Sequence, residues 1–462
     1  MREKERPFGI RDKIGYMLGD LGNDFTFIFA STYVMIFYSK VMGINTGIIG
    51  TMFLISRCVD AFTDIGMGRI VDVSKTAKDG RFKCWIRRMC GPVALASFMM
   101  YQSFLQNAPM EIKIVYMFIT YLLWGSVFYT AINIPYGSMA SVISNNPKDR
   151  SSLSVFRSMG GVIAMIIIRI VAPLVIYYTD EVGNQVVHAG RFTWIAGVFS
   201  VCAIICYIFC YYMTTERVYV ESKKEDADQK SSILKTLKRI SCNRAFIGMI
   251  LSALVLLFAT LMEQGITNYL FADVFKNVKA LAISSVMAVP AMVIIAVVST
   301  PMCAKFGKKE VGFVGCALAG LVYLGMAVFR TDNVWFFVAG SFLALLGRQS
   351  FSMQSYALVT DVIDDIEVIT HERNDGVIYG AYSFSRKIGQ AIAGGVSGWA
   401  LAAIGYDSLA VAQTESVCDG IYMLSTLAPA LSCLFCALIL AVVYPLGKKK
   451  VDENTAILKG QR

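Results

Sequence analysis

Twelve long apolar runs, joined by short polar connections, occupy almost all of this 462-residue chain. A helix needs about 20 consecutive, mostly apolar residues to cross the hydrocarbon core of a bilayer, and the runs are of that order. No water-soluble core accounts for them. A soluble chain carries about a quarter charged residues, whereas this one has 16% charged against 56% hydrophobic residues and a mean hydropathy of +0.57. The runs are continuous and do not alternate at every second residue, which excludes a β-barrel. What lies between them is too short for a separate soluble domain. The expectation is an all-α membrane protein with twelve transmembrane helices.

Apolar runs and turn signals place these helices near 14–40, 47–72, 89–107, 112–143, 158–178 and 192–214, then 245–272, 280–303, 311–330, 334–365, 376–404 and 420–446. The polar, charged stretch between the sixth and seventh divides the chain. The expected domains are a six-helix bundle over 1–214, a central cytoplasmic loop over 215–244, a second six-helix bundle over 245–446 and a cytoplasmic tail over 447–462. The halves echo each other. A basic turn follows helix 2 (Gly80-Arg81-Phe82-Lys83) and another follows helix 8 (Phe306-Gly307-Lys308-Lys309). Matching features at matching positions of two halves suggest a duplicated transporter fold.

The net charge of +10 reports topology once it is divided by side. Most of the 43 Lys and Arg residues lie on the side of the termini, and the opposite side carries Lys40, Lys113, Arg191, Lys276, Lys279 and Arg330. The positive-inside rule therefore puts both termini in the cytoplasm, and nucleic acid binding need not be invoked. Other options drop out for want of residues. The Cys residues lie mainly in apolar runs without CxxC spacing, His188 and His371 are the only histidines, and no GxxxxGK[ST] phosphate loop occurs. Neither a disulfide frame, a zinc centre nor an ATPase fits. No cofactor and no obligate protein partner are expected, and no nucleophile–base set marks an enzyme.

Charges inside the apolar runs carry the functional signal. Each costs about 2.5–3.5 kcal/mol near a helix centre on insertion scales, so a role is the default reading. Helix 2 contains Arg57, Asp60 and Asp64 in SRCVDAFTD, on one face by their spacings of three and four. Two carboxylates one turn apart cannot both stay ionised without compensation. Arg57 supplies one positive charge, and a bound Na⁺ or a proton supplies the other. Thr63 and Thr130 offer hydroxyl oxygens to such a cation. The plainer alternative is a static Arg57–Asp ion pair that fixes helix packing.

Helix 1 places Asp20 and Asp24 among glycines in LGDLGNDF. A carboxylate accepting from neighbouring sugar hydroxyls is a favourable charge-assisted arrangement, although either residue could instead pair with Arg157 or Lys387. Helix 4 reads YTAINIPYG, where Pro135 removes a backbone donor and Asn133 offers both donor and acceptor. Trp124 and Tyr129 add aromatic faces of the kind sugar rings favour. In the second half, Glu263, Gln264 and Asn268 interrupt helix 7, while Arg386 and Arg373 are expected to form gate pairs with Asp361 or Asp364. For Arg169 and Arg348 the sequence names no partner.

The segments IGYMLGDLGNDF, GTMFLISRCVDAFTDIGMG, DGRFKCW, NIPYGSMAS, LVTDVIDDIEV and SFSRKIGQAIAGG, in this order, resemble the glycoside–pentoside–hexuronide:cation symporters, a branch of the major facilitator superfamily. The resemblance runs from about residue 10 to 446. It implies twelve helices in two bundles in a bacterial inner membrane, alternating access, and symport of a sugar-type solute with Na⁺, Li⁺ or H⁺. By position it assigns Asp60 and Asp64 to the cation, with Thr130 as a further ligand, Asp24 to the sugar, and Arg157 and Lys387 to the cavity wall. A second sugar-binding carboxylate of the family falls at Asn133, Thr63 stands where a member has Asn, and Ile65 replaces the usual Pro. These departures leave Na⁺ against H⁺ open. Asp24 suits a neutral glycoside, because a hexuronate carboxylate beside it would be repelled, whereas Arg157 or Lys387 could receive the carboxylate of a hexuronide such as a glucuronide. A lysolipid transporter of the same fold and a non-transporting membrane sensor remain the other readings.

Overall fold

The computed structural model describes residues 6–461 apart from 75–78, 145, 219–242 and 371–374. Most of the central loop expected at 215–244 therefore lies outside the described residues. The chain falls into two compact units, Met1–Lys223 with Gly405–Ala412, and Lys224–Ile404 with Gln413–Arg462.

The first unit contains α1 (Ile10–Ile36), α2 (Thr46–Val73), α3 (Lys83–Met99), α4 (Met110–Leu122), α5 (Thr130–Ile143), α6 (Pro147–Ile176) and α7 (Ala189–Met213). Short π-helical segments extend α1 at Phe37–Val41 and join α4 to α5 at Leu123–Tyr129, so that α4 and α5 form one span. The second unit contains α8 (Arg244–Tyr269), α9 (Val278–Val286), α10 (Ala288–Phe306), α11 (Lys308–Val328), α12 (Val334–Thr370), α13 (Asp375–Ala403), α14 (Glu415–Val442) and α15 (Lys448–Gln461). Together α9 and α10 make a single rod. Among the described residues, six rods per unit result, with α15 in addition. Eight of the rods are long and apolar enough by themselves to cross a membrane. The other four are α1 and α2, which carry the charges that mark the site, α3, which is only 17 residues long, and α13, whose apolar stretch is confined to Ile388–Ala403.

Side-chain caps set several helix starts. Asn45, Asn146, Asn243 and Asn277 each accept a backbone N–H from the first turn of α2, α6, α8 and α9, as N-cap residues do. The fifth helix was expected from 158, whereas α6 begins at Pro147. Asn at the cap with Pro at the first helical position is a start signal that apolar content alone overlooks, because the first two turns are polar. Helix 3 was expected over 89–107 and occupies 83–99. Its start is fixed by a distant residue: the buried Glu216 carboxylate accepts backbone N–H bonds from Arg81, Phe82 and Lys83 at 2.7, 2.9 and 2.7 Å. Gly80 beneath it has φ +116°, and a β-carbon there would come within 2.6 Å of the same carboxylate. The helix expected to reach 178 ends at Ile176, and a two-stranded hairpin follows, β1 (Tyr177–Thr179) against β2 (Gln185–Val187).

Residues 214–218 tie down one end of the first unit. Arg217 pairs with the fully buried Asp12 of α1 at 2.9 Å, and Arg6 pairs with the same carboxylate at 2.9 Å. Charge-assisted hydrogen bonds contribute about 1.5–3 kcal/mol each. Glu216→Ala is therefore expected to destabilise the first unit by about 3 kcal/mol, with Glu216→Gln losing less because one carbonyl oxygen still accepts. Thermal unfolding in detergent checks this, and an unchanged midpoint for the alanine variant would remove Glu216 from the structural frame.

In the second unit the residues expected as a tail form α15, which packs on α12. Asn454 donates to Asp365 Oδ1 at 2.9 Å, both residues being buried. The basic turn at 306–309 is a latch: Lys308 reaches Asp361 Oδ1 at 2.6 Å.

Candidate solute and cation site

In the first unit α6 approaches α1 through Gly160 and Gly161. A β-carbon at Gly161 would lie 2.7 Å from Asp24 Oδ2 and 3.5 Å from Asp20 Oδ2, so glycine makes room for both carboxylates. One turn earlier on α6, the Arg157 Nε donates to Asp20 Oδ1 at 2.8 Å. Its guanidinium lies 5.2 Å from the centroid of the Tyr136 ring, which stacks on Tyr16 at 4.7 Å. The Tyr136 hydroxyl, donating to the Tyr16 carbonyl at 2.6 Å, holds that ring in place. Arg157 and Asp20 thus form an ion pair, the alternative to a direct ligand role for Asp20. Asp24, half-buried one turn further along α1, accepts no hydrogen bond among the described residues. Beside it Asn23, which sequence reasoning passed over, accepts from Tyr207 at 2.8 Å.

The second cluster lies between α2 and the start of α5. Arg57 Nη1 is 3.1 Å from Asp60 Oδ2. The Ser126 hydroxyl donates to Asp60 Oδ1 at 2.5 Å, and the Thr130 hydroxyl donates to Asp64 Oδ1 at 3.0 Å. Each carboxylate of α2 therefore meets a hydroxyl of the neighbouring span, and all four are hard oxygens of the kind alkali cations take. Thr63 does not join them: its hydroxyl donates to the Val59 and Asp60 carbonyls of its own helix, each at 3.3 Å. Ser126 was missed, although its spacing of four from Thr130 was a usable signal. It sits in the π-helical segment Leu123–Tyr129, where the wide turn shifts side-chain register. Such segments recur at functional sites.

The same segment carries the aromatic residues. Tyr129 stacks on Phe27 at 5.3 Å and meets Trp124 at 5.5 Å. Trp124 is only 3% exposed, so it backs Tyr129 and does not present a face of its own. Arg57 lies 6.0 Å from the Phe27 centroid, which links the α2 cluster to the Tyr129 ring through one side chain. Asn133 is half-buried one turn beyond Tyr129. Replacing Ser126 or Thr130 by Ala should weaken cation binding about tenfold, the loss expected for one hydrogen-bonding oxygen of about 1.4 kcal/mol. Titration of cation-dependent fluorescence in the purified protein measures this.

Among the expected gate residues, Asp361 finds its partner in Lys308 and not in Arg386. The electrostatic reason is proximity across α11 and α12, while Arg386 stands 5.9 Å from the Tyr382 ring on its own helix. Asp364 is half-buried on α12. Arg373 and the side chain of Lys387 lie outside the described residues. Arg348, for which the sequence named no partner, pairs with Glu263.

The family profile described as MFS/sugar transport protein matches residues 15–448. The chain belongs to that family. As an MFS/sugar transport protein it is a multi-pass membrane transporter of sugar-type solutes and not an enzyme. It is 30% identical over 400 residues to the isoprimeverose transporter of Lactiplantibacillus pentosus, covering 86% of this chain and 80% of that one. To the glucuronide carrier protein homolog of Escherichia coli (strain K12) it is 28% identical over 454 residues, covering 96% and 94%. The bacterial homolog of the human lysosomal transporter Spinster, solved inward-facing and unoccupied, superposes with a TM-score of 0.67 at 13% identity, covering 96% of this chain and 99% of that one. That likeness gives the fold: an all-helical major facilitator protein.

Proposed function

We propose that this MFS/sugar transport protein is a secondary active symporter that couples uptake of a sugar or glycoside, neutral or acidic, to a Na⁺ or H⁺ gradient by alternating access. The observation that carries this reading is the pairing of Asp60 with Ser126 and of Asp64 with Thr130, one turn apart, across two spans of one unit. A cation bound there by Asp60, Asp64 and Thr130 draws α2 toward α5. The π-helical segment holding Ser126 also holds Tyr129, so loading the cation steadies the aromatic face beside Asp24 and Asn133. A sugar ring then packs on Tyr129 while its hydroxyls donate to Asp24, with Arg157 held in orientation by Asp20. With both ligands present the buried charge of the α2 face is compensated, and the loaded carrier changes state at lower cost than a half-loaded one.

The test is uptake by energised membrane vesicles, comparing a labelled neutral glycoside with a labelled glucuronide under an imposed Na⁺ gradient or pH gradient. Accumulation under one gradient names the ion. No accumulation of either sugar under either gradient overturns the reading.

A second reading has one observation in its favour. An apolar recess of about 400 Å³, lined by Leu254, Val255, Phe258, Ile392, Leu431 and Phe435 of α8, α13 and α14, suits an acyl chain, as a lysolipid carrier requires. The polar set of the first unit favours the sugar. Uptake of a labelled lysolipid in the same vesicles decides between them.

A further inference from the structure

In the second unit a buried ionic centre plays no part in the mechanism above. Glu263 of α8 pairs with Arg348 of α12, and the Tyr323 hydroxyl of α11 donates to its other oxygen at 3.0 Å. Three spans contribute one side chain each, within their apolar lengths. The Arg348 side chain is 7% exposed and that of Glu263 is 24% exposed, so the carboxylate is the open side of the pair. The fourth span packed here, α14, brings Cys433, fully buried beside Arg348 and Glu263. On α13, Ser397 packs against Gly265, and no ionisable residue occurs between Gln390 and Ala403. Arg348 is therefore the one cation facing Glu263 among the described residues.

We propose that Arg348 is a receptor for the carboxylate or sulfonate group of an acidic sugar, and that Glu263, displaced by that anion, takes up a proton. The charge balance requires the pairing of the two events. Before binding, Glu263 and Arg348 sum to zero. Afterwards the anion neutralises Arg348, and a Glu263 left ionised would be a buried charge without a partner, which is strongly unfavourable. One proton on Glu263 restores neutrality, and the Tyr323 hydroxyl turns to accept from it. The geometry favours an exchange over a fixed ion pair because the carboxylate faces the open side while Arg348 stays anchored behind it. Burying a charge pair in apolar spans is costly to stability, which argues for a use beyond packing. A planar guanidinium is suited to bidentate recognition of carboxylate or sulfonate oxygens.

This inference rests on the sugar-transport reading and names its substrate class. Its test uses the full-length protein in proteoliposomes with 4-nitrophenyl β-D-glucuronide and 4-nitrophenyl β-D-glucoside, which differ in the acidic group. Binding is followed from pH 6 to 8, with proton uptake recorded by a pH indicator in weak buffer. The expected result is one more proton taken up per glucuronide than per glucoside. The glucuronide-to-glucoside affinity ratio accordingly falls about tenfold per pH unit. Glu263→Gln abolishes that slope, and Arg348→Met lowers the glucuronide-to-glucoside affinity ratio at least about 100-fold, as loss of a charge-assisted bidentate contact requires. Arg348→Met leaves Glu263 unpaired and is a folding risk, so the Glu263→Gln/Arg348→Met double variant is measured beside it, with the same ratio expected. Glucoside binding with no glucuronide binding, or glucuronide binding without that additional proton, overturns this inference and leaves sugar transport standing. Binding of neither probe removes both.

Discussion

Asp60→Asn is expected to abolish gradient-driven accumulation while leaving downhill sugar entry measurable. One monovalent cation moving through about 100 mV releases roughly 2.3 kcal/mol, and a tenfold concentration ratio costs about 1.4 kcal/mol. For a neutral sugar the potential alone therefore supports accumulation of about 40-fold in the native carrier, and the variant should fall to a ratio near 1. The reason is local. Asp60 accepts from Ser126 at 2.5 Å and from Arg57 at 3.1 Å, so its charge sets both the oxygen cluster and the orientation of Arg57. An amide keeps the size of the group but supplies no negative charge to hold a cation. Vesicle uptake with and without an imposed gradient measures the ratio. Full accumulation by Asp60→Asn would place the coupling ion elsewhere.

Asp24→Asn should weaken binding of a neutral glycoside about 10- to 100-fold with cation affinity retained. Hydrogen bonds to a charged acceptor contribute about 1.5–3 kcal/mol, and the amide gives up that charge while keeping one acceptor oxygen. Asp24 suits the role because it packs against Gly161 and accepts no hydrogen bond among the described residues, whereas neighbouring Asp20 is already held by Arg157 at 2.8 Å. Equilibrium binding of a nitrophenyl glucoside, at saturating Na⁺ and at low pH, is the measurement. A change below about threefold would remove Asp24 from the sugar site.

Pairs read across different spans test how far residue order reaches. Asp60 and Asp64 were found from their one-turn spacing, because a helix fixes which residues share a face. Their hydroxyl partners were half found. Thr130 was foreseen, Ser126 was not, and Thr63 turned its hydroxyl to its own backbone, since a threonine in a helix readily donates to the carbonyl one turn back. Arg348 had no partner in the sequence because Glu263 lies 85 residues away, a separation no local pattern spans. The same holds for Glu216, which caps the turn before α3 from over 130 residues away.

The sequence by itself determined the bilayer as solvent, the number and approximate ends of the rods, and the charges that betray the site. These follow from apolar length and from the cost of a charge in hydrocarbon, both of which are properties of single segments. Only the tertiary structure decided who meets whom. It set Arg157 on Asp20 and left Asp24 open, gave Asp361 to Lys308, and joined Arg57 to Tyr129 through Phe27. Pairings of this kind depend on how the faces of separate helices turn toward each other. Helix rotation and depth come from close packing, such as α6 on α1 at Gly160 and Gly161, and one residue of register decides which side chain reaches a partner.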